Sequence, residues 1–447
     1  MLRKEDVKNL KLDDLQKVHM IGITSGISSF VATHLINLGI EVTASELNQD
    51  NHVAKEWIER GVLYEGGHNS KYITKDLNLV VFPNAPMPDN PECIKTEKLG
   101  ISAIKLPEIL GLITKNFKTI AVAGTHGKTT TSALITWLLY KEYGELPNFV
   151  IGDEILGIKK SFNYNPHTEY LVLEACEYKR QFLDRAPTPY ITVITNIELD
   201  HTDYFKNQED YNNAFKEFVS NTQNSIVIDS RDPNINDIVK DLDIKIIDCK
   251  DIEGMYEEVT AGLHGKHNRE NILRTSGVAY SLGIFPDIED FPGVASRFEY
   301  IGKNNNGNDI YLDYAHNPKK VRACLQEAKE MYPDKKIVFV WQPHSVERSI
   351  TFKKDFAKSL DGADVTLIPN IYIPVREAEE YREKMTDKEF VEYLKSENPK
   401  KDIRYTESFE NTVKVLKEFN DDFVIIFASA GDLKQIFKLM KIKNEQI

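Results

Sequence analysis

The sequence of 447 residues is poor in three features that mark particular protein classes. Its four cysteines (Cys93, Cys176, Cys249 and Cys324) form no Cys-x-x-Cys pair, which argues against a disulfide framework or a zinc site. No apolar run approaches the about 20 residues of a membrane-spanning helix, and we expect no signal peptide because residues 1–6 are charged. We therefore expect a cytoplasmic protein that does not interact with membranes.

Positive charge is also scarce. The chain carries 69 acidic and 56 basic residues, for a net charge of −13. This balance argues against a general binder of nucleic acids. The remaining composition, with 41% hydrophobic and 28% charged residues, is ordinary for a globular protein, and the length suggests two to four domains.

The segment 120–131 has the pattern of a phosphate-binding loop. A short apolar strand leads into Gly-Thr-His-Gly-Lys-Thr-Thr-Thr, and an apolar helix follows. In such loops, backbone N–H groups and a helix N-terminus hold phosphate, a lysine reaches the terminal phosphates, and a hydroxyl binds Mg²⁺. We assign these last two roles to Lys128 and Thr129. Val122 stands where the usual pattern has its first glycine, so the loop is of a shorter type.

Polar residues follow two further apolar runs, at 170–173 and 191–196. Such runs alternating with helices predict a parallel sheet, in which ligands bind at the carboxyl ends of the strands. Glu174 and His201 lie at these ends, and we predict that they hold Mg²⁺ beside the nucleotide. The alternatives are a solvated carboxylate for Glu174 and an ordinary hydrogen-bonded loop histidine for His201.

The residues before position 115 suggest a smaller α/β domain. A strand at 19–23, a helix at 30–38 and a strand at 40–44 form a βαβ unit with Gly22, Gly26 and a following Glu46. Spacing of this kind occurs in Rossmann-type nucleotide sites, but with so few glycines a plain βα turn is an equal alternative.

The last third of the chain predicts another parallel sheet. Apolar strands are expected at 309–312, 337–341, 364–368 and 423–427, each ending in polar residues. Just before this region, a helix is predicted at 272–282. His267, Asn268 and Asn271 precede it and form either an adenine-binding set or an N-cap cluster. We predict three domains, at 1–115, 116–294 and 295–447.

Read together, these segments resemble the Mur ligases, the ATP-dependent amide-forming enzymes of peptidoglycan precursor synthesis. The matching segments follow the family's order along nearly the whole chain: Gly-Thr-His-Gly-Lys-Thr-Thr-Thr (124–131), Glu-Ala-Cys-Glu-Tyr (174–178), Asn-Ile-Glu-Leu-Asp-His (196–201), Gly-Lys-His-Asn-Arg-Glu-Asn (265–271), Arg-Phe-Glu (297–299), Asp-Tyr-Ala-His-Asn-Pro (313–318) and Gln-Pro-His (342–344). His126 and the Gln-Pro-His segment are similar to the branch that joins L-alanine to UDP-N-acetylmuramate.

The resemblance implies the fold, the substrates and the binding residues. It implies a Rossmann-like UDP-sugar domain, a central phosphate-loop domain and a Rossmann-like C-terminal domain, in a monomer or homodimer. The implied ATP site comprises Gly124, Thr125, His126, Gly127, Lys128, Thr129, Thr130, His267, Asn268, Asn271, Arg297 and Asp313, with Mg²⁺ on Thr129, Glu174 and His201. The implied substrate residues are Gly22, Ser45 and His68 for the UDP-sugar, and His316, His344 and Arg348 for the amino acid.

Three segments depart from the family's usual pattern, and a fourth position marks the branch. The first loop reads Gly-Ile-Thr-Ser-Gly (22–26) rather than Gly-Ile-Gly-Gly, Ser345 replaces a basic residue, and Asn84-Ala85-Pro86 replaces Ser-Ala-Ile. Phe215 aligns with the carbamylated lysine of ligases that add later amino acids. Two alternative functions stay open: attachment of a preformed tripeptide to the same sugar during wall recycling, which His344 disfavours, and a nucleotide-binding regulator without ligase activity.

Overall fold

The computed structural model describes residues 1–2, 4–84, 87–201, 204–374, 379–440 and 442–443. Positions 85 and 86 of the Asn84-Ala85-Pro86 segment therefore lie outside the described residues. The chain divides into two compact units. The first consists of Met1–Gly262 and Glu270–Pro292, and the second consists of Leu263–Arg269 and Gly293–Ile447.

The first unit contains two sheets. The smaller sheet has the order β2-β1-β3-β4, with every neighbouring pair parallel. Its strands are β1 (Lys17–Ile21), β2 (Glu41–Ser45), β3 (Leu79–Phe82) and β4 (Ala103–Lys105). Gly22 follows β1 directly with φ +87°, a conformation that favours glycine.

The larger sheet of the first unit has the order β11-β10-β9-β5-β8-β6-β7 and is parallel except for its last pair. Its strands are β5 (Lys118–Ala123), β6 (Asn148–Ile155), β7 (Lys160–Asn163), β8 (Tyr170–Glu174), β9 (Ile191–Ile194), β10 (Ser225–Ile228) and β11 (Lys245–Asp248). Strand β5 lies between β9 and β8, so the segments that follow these three strands meet at one edge of the sheet.

Helices cover these sheets. They are α1 (Lys4–Asn9), α2 (Gly26–Asn37), α3 (His52–Glu59), α4 (Pro91–Leu99), α5 (Leu106–Thr114), α6 (Lys128–Tyr143), α7 (Gln181–Arg185), α8 (Gln208–Val219), α9 (Pro233–Val239), α10 (Cys249–Ile252) and α11 (Lys266–Leu282). The central strands are buried on both faces, because helices pack on each side. Phe215 lies in this core, and Lys216 forms an ion pair with Asp241 (3.2 Å).

The second unit is built on a sheet of order β16-β15-β14-β17-β13-β12-β18, in which β12 runs antiparallel to both of its neighbours. Its strands are β12 (Glu299–Asn304), β13 (Asp309–Asp313), β14 (Lys336–Trp341), β15 (Val365–Ile368), β16 (Asp402–Tyr405), β17 (Phe423–Ala428) and β18 (Ile442–Lys443). Its helices are α12 (Pro318–Met331), α13 (Val346–Thr351), α14 (Lys353–Ser359), α15 (Glu379–Arg382), α16 (Asp387–Glu397) and α17 (Phe409–Leu416).

The predicted α/β class with largely parallel sheets is confirmed, and three details are wrong. Helix α2 begins at Gly26 rather than at residue 30, because the Ser25 hydroxyl caps it by accepting from the Ser28 N–H. The third sheet is mixed, because β12 and β18 pair antiparallel at its edge. Helix α11 begins at Lys266 rather than at residue 272, so the polar residues 267–271 lie inside it. Neighbouring polar groups support this start, since the Asn268 amide donates to the His264 carbonyl (2.7 Å).

Two negative predictions are checked by the described part of the chain. None of its helices is both long and apolar enough to cross a bilayer. All four cysteines are described and have free thiols. The domain boundaries at 115/116 and 294/295 stay a prediction.

Candidate active site

The phosphate loop connects β5 to α6, and two of its positions require glycine. Gly124 has φ +136°, and a Cβ there would lie 2.0 Å from the Thr195 hydroxyl oxygen. Gly127 has φ +81°, and a Cβ there would lie 2.5 Å from the Asn271 side-chain oxygen. The close approach of these neighbours fixes the loop in one conformation at the N-terminus of α6, where backbone N–H groups are available to an anion.

The segment after β9 holds the loop in place. The Thr125 hydroxyl donates to the Glu198 carbonyl (2.8 Å) and accepts from the Glu198 N–H (3.0 Å). The His126 backbone exchanges two hydrogen bonds with the Asn196 side-chain amide, at 2.9 and 3.0 Å. The His126 imidazole lies 3.4 Å from the Glu198 carboxylate. These contacts join two segments that the sequence analysis places in one site.

Lys128 is held by its own loop and by an acidic residue that the sequence analysis gave no role. Its ammonium donates to the Gly124 carbonyl (2.6 Å) and lies 2.9 Å from the carboxylate of Glu177, which is only 2% exposed. Burial opposes the charge of both groups, but their mutual attraction is stronger. It raises the pKa of Lys128 above its ordinary value and holds the pKa of Glu177 at about 2.

Thr129 and Glu174 face the same point beside the loop. The Gly152 N–H, on the strand next to β8, donates to Glu174 Oε2 (2.7 Å). A Cβ at Gly152 would lie 2.7 Å from this oxygen and 3.0 Å from Thr129 Oγ1. The described residues contain no cluster of three His, Cys, Asp or Glu suited to a metal. One hydroxyl and one carboxylate fit Mg²⁺, which usually binds through few protein ligands plus substrate phosphates.

His201 contacts the carboxylate of Glu177. Its Nε2 lies 3.5 Å from Glu177 Oε1, and its ring centroid lies 4.6 Å from that of Tyr178. Its φ of +53° is unusual for a residue other than glycine, so the surrounding contacts must hold it there. The structure thus joins His201 to the Lys128–Glu177 pair, and its role as a metal ligand stays a prediction.

The three predicted adenine residues do not all contact the same side chain. Asn271, in the first unit, accepts a hydrogen bond from the Thr131 hydroxyl (3.2 Å) and lies against the phosphate loop. His267 and Asn268, in the second unit, contact the buried carboxylate of Glu327 at 3.3 and 3.1 Å. Burial raises the pKa of Glu327, although His267 opposes this effect.

Arg297 and Asp313 lie close together in the second unit. The Phe298 N–H donates to Asp313 (2.9 Å), and burial raises the pKa of Asp313 against the lowering effect of the Arg297 charge. The Arg297 guanidinium lies 4.8 Å from the centre of the Tyr314 ring. The neighbours of Arg297 in the sequence, Ser296 and Phe298, have φ values of +57° and +48°. The backbone on both sides of Arg297 is therefore strained.

The three predicted amino-acid-binding residues also cluster. The rings of His316 and His344 have centroids 6.3 Å apart. Burial, together with the nearby Lys320 and Arg348 charges, lowers the pKa of His316 well below its ordinary value. Ser345 directly precedes α13, with φ +70°, and its hydroxyl accepts from the Arg348 N–H (3.1 Å). The replacement of a basic residue by Ser345 therefore supplies a helix cap.

In the smaller sheet, the first loop turns toward an acidic side chain. The Gly22 N–H donates to the Ser45 carbonyl (2.8 Å). The N–H groups of Ile23 and Thr24 and the Thr24 hydroxyl all donate to Glu46 Oε2, at 3.2, 3.3 and 2.8 Å. Glu46 thus binds the loop instead of extending toward a ribose as a Rossmann-type acidic residue does. Ser45 and His68 do meet, with Oγ and Nδ1 2.8 Å apart.

Comparison with known proteins finds one family along most of the chain. Three family models match in order: the Mur ligase family catalytic domain at residues 17–118, the Mur ligase middle domain at 122–272, and the Mur ligase glutamate ligase domain at 296–431. The family model described as the catalytic domain covers the smaller sheet. The phosphate loop lies instead in the range that the middle-domain family model covers.

Two relatives illustrate the similarity in sequence. The UDP-N-acetylmuramate–L-alanine ligase of Caldanaerobacter subterraneus subsp. tengcongensis is 32% identical, over 98% of this chain and 100% of the relative. The enzyme of the same name from Clostridium acetobutylicum is 31% identical, over 97% of this chain and 99% of the relative.

Solved structures show the same fold. The UDP-N-acetylmuramate-alanine ligase of Thermotoga maritima aligns with a TM-score of 0.72 at 24% identity, over 95% of this chain and 97% of that chain. The murein peptide ligase of Psychrobacter arcticus aligns with a TM-score of 0.64 at 21% identity, over 95% and 98%. The family resemblance predicted from the sequence is confirmed: the chain belongs to the Mur ligase family.

Proposed function

We propose that this Mur ligase joins L-alanine to UDP-N-acetylmuramate with hydrolysis of ATP to ADP and phosphate. One observation carries the proposal. Lys128, Thr129 and Glu174 lie together at the loop between β5 and α6, in a chain that is 32% identical over nearly its full length to a ligase named for this reaction. The Gln-Pro-His segment at 342–344 supports the alanine-adding branch.

The chemistry begins with a poor acyl donor. A muramate carboxylate oxygen attacks the γ-phosphorus of ATP, the bond to the β–γ bridging oxygen breaks, and ADP leaves. The amine of L-alanine then attacks the acyl carbon of the mixed anhydride. The tetrahedral intermediate collapses as the C–O bond breaks, inorganic phosphate leaves, and the amine nitrogen loses a proton. Both steps spread negative charge over oxygens, which fixed cations and N–H groups stabilise.

The chain's own residues supply this stabilisation. The loop N–H groups receive the phosphates, and the Lys128 ammonium turns from the Gly124 carbonyl toward the transferred phosphoryl group. Glu177 keeps Lys128 charged and oriented, and His201 Nε2 lies 3.5 Å from the same carboxylate. Thr129 and Glu174 would hold Mg²⁺, which would supply positive charge that neutralises the phosphate oxygens.

The remaining site residues take the roles that the resemblance implies. Asn271, His267 and Asn268 bind adenine, while Arg297 and Asp313 bind phosphate and ribose. The substrate-binding residues divide into two sets, Gly22, Ser45 and His68 for the UDP-sugar, and His316, His344 and Arg348 for L-alanine. The lowered pKa of His316 suits this role, because a neutral imidazole does not repel the alanine ammonium.

An amino-acid panel tests the proposal. Purified protein receives ATP, Mg²⁺ and UDP-N-acetylmuramate with L-alanine, glycine, L-serine or the preformed tripeptide, while phosphate release and product mass are followed. We expect product formation to be fastest with L-alanine. Ligation of the tripeptide but not of L-alanine would instead assign the protein to wall recycling, and nucleotide binding without any substrate-dependent phosphate release would indicate a regulator.

Replacement of His201 provides a second test. We expect His201→Ala to lower kcat by about 100-fold, because the buried Glu177 loses one of its two partners and Lys128 loses its fixed orientation. Steady-state phosphate release measures the effect. His167→Ala, at an exposed position of the same unit, is the control and should retain full activity. An unchanged kcat for His201→Ala would show that His201 is an ordinary hydrogen-bonded loop residue.

A further inference from the structure

A buried carboxylate contacts two of the proposed UDP-sugar residues, Ser45 and His68. Glu92 is in the first turn of α4, and its side chain is 0% exposed. Its Oε2 accepts from the Ser45 hydroxyl at 2.6 Å, and its Oε1 accepts from the Asn69 N–H at 2.8 Å. The rings of His68 and His19 lie 3.5 and 3.7 Å from Oε2.

Glu92 is negatively charged in this environment. Burial opposes its ionisation, but hydrogen bonds from Ser45 and Asn69, together with the nearby His19 and His68 rings, outweigh the burial and lower its pKa to about 2. A carboxylate without its proton only accepts hydrogen bonds. Glu92 therefore dictates the direction of each hydrogen bond around it.

The direction of these bonds fixes the imidazole of His68. A serine hydroxyl has one proton, and the Ser45 proton is committed to Glu92. Ser45 Oγ therefore accepts from His68 Nδ1, 2.8 Å away, so Nδ1 carries a proton. In neutral His68 the other ring nitrogen, Nε2, then has a free lone pair and accepts hydrogen bonds.

Of the three linked side chains, Glu92, Ser45 and His68, it is His68 that reaches the surface. Its side chain is 10% exposed, while Ser45 and Glu92 are fully buried. Ser45 ends strand β2, and its carbonyl accepts from the Gly22 N–H at the edge of the sheet where ligands bind in parallel α/β folds. The bonds to Ser45 and Glu92 use Nδ1 and leave Nε2 for a ligand at this edge.

We propose that Glu92 is a positioning residue that acts through Ser45 to fix His68 with its proton on Nδ1, so that Nε2 accepts a hydrogen bond from an N–H or O–H of the uridine diphosphate group. This inference rests on the proposed function, because it assumes that the UDP-sugar binds at Ser45 and His68. It adds the residue that sets the hydrogen-bonding direction of that subsite.

Calorimetric binding of UDP to the full-length protein, at about pH 8 where histidine is mostly neutral, tests the proposal. We expect Glu92→Gln to weaken UDP binding by about tenfold or more and to raise the KM for UDP-N-acetylmuramate similarly, with kcat changed by less than about threefold. Glu97→Gln, at an exposed position of the same helix, is the matched control and should bind UDP as the wild type does.

A double-mutant cycle separates positioning from general support of the fold. If Glu92 acts through His68, Glu92→Gln should cause no further loss of UDP affinity in a His68→Ala background. Equal losses in both backgrounds would overturn the proposal, as would unchanged UDP affinity in Glu92→Gln. Nitrogen-15 spectra of the histidine rings supply an independent readout, with the Nδ1–H form of His68 expected in the wild type and lost in Glu92→Gln.

Two further outcomes are decisive. If Glu92→Gln does not fold, Ser45→Ala replaces it, since this variant removes the connecting hydroxyl and keeps the bond from the Asn69 N–H to Glu92. Unchanged UDP affinity in Ser45→Ala would then overturn the inference. If the wild type releases phosphate with UDP-N-acetylmuramate and both variants keep the wild-type UDP affinity, the inference is refuted and the proposed function stands. Absence of any UDP-dependent signal in the wild type refutes the proposed function as well.

Discussion

Lys128→Met should lower kcat by about 1,000-fold or more while the KM for UDP-N-acetylmuramate changes little. The Lys128 ammonium is the cation of the phosphate loop, and a cation placed on a transferring phosphoryl group typically contributes 10³–10⁵ in rate. Methionine keeps most of the side-chain volume and removes the charge. Phosphate release under saturating substrates measures the effect.

The control for this variant lies on the same helix. Lys141 forms a surface ion pair with Asp290 (2.9 Å) near the other end of α6, and Lys141→Met should retain wild-type turnover. Retention of most activity in Lys128→Met would contradict the phosphate-loop assignment.

The fold of Lys128→Met needs a separate check, because the variant leaves Glu177 buried without its main cation. In the folded wild type the pKa of Glu177 is lowered to about 2, whereas a glutamate in the unfolded chain has a pKa of about 4.3. The ionised Glu177 therefore stabilises the fold above the unfolded pKa, and this stabilisation is lost as the pH falls toward the folded pKa. In the variant, burial raises this pKa instead, and folding then takes up a proton. We therefore expect the melting temperature of the variant to approach that of the wild type as the pH is lowered from about 8 to about 5.

The second large effect is expected at a glycine beside the Thr129 and Glu174 oxygens, which we propose to hold Mg²⁺. Gly152→Ala should lower kcat/KM by about 100-fold and raise the Mg²⁺ concentration needed for half-maximal activity. A Cβ at this position would lie 2.7 and 3.1 Å from the two carboxylate oxygens of Glu174 and 3.0 Å from Thr129 Oγ1, so these oxygens must move. The φ of Gly152 is not in the left-handed region, so the substitution tests this contact without adding backbone strain. A Mg²⁺ titration of phosphate release measures the result.

Gly254→Ala is the matched control for this experiment, because a Cβ at Gly254 meets no atom within 4 Å. It should leave both the rate and the Mg²⁺ requirement unchanged. If Gly152→Ala shows the wild-type Mg²⁺ requirement, Thr129 and Glu174 do not act together on the metal.

The sequence predicts the architecture well where local pattern decides it. Strands β5, β8 and β9 are continuous apolar runs that end in glycine or polar residues, and their order in the sheet brings the phosphate loop, Glu174 and His201 to one edge. The start of α11 is wrong because residues 266–271 are polar, and their helical conformation depends on tertiary partners such as the His264 carbonyl.

The residues that the sequence analysis did not identify are buried carboxylates with distant partners. Glu177 contacts a lysine 49 positions away, Glu92 a serine 47 away, and Glu327 an asparagine 59 away. Nothing in the local pattern around such a residue tells a buried carboxylate from a solvated one. One signal was present for Glu177, which follows Glu174 by three residues directly after a strand. Backbone conformations such as φ +53° at His201 are likewise set by tertiary contacts rather than by residue type.

Isotope transfer from the sugar to phosphate tests the central claim most directly. UDP-N-acetylmuramate carrying ¹⁸O in its carboxylate is incubated with the enzyme, ATP, Mg²⁺ and L-alanine, and the released phosphate and the amide product are analysed by mass spectrometry. Activation through an acyl phosphate predicts one ¹⁸O atom in the phosphate for each amide formed, with ADP as the other product. Amide formation with unlabelled phosphate, or with release of AMP and pyrophosphate, would contradict the account.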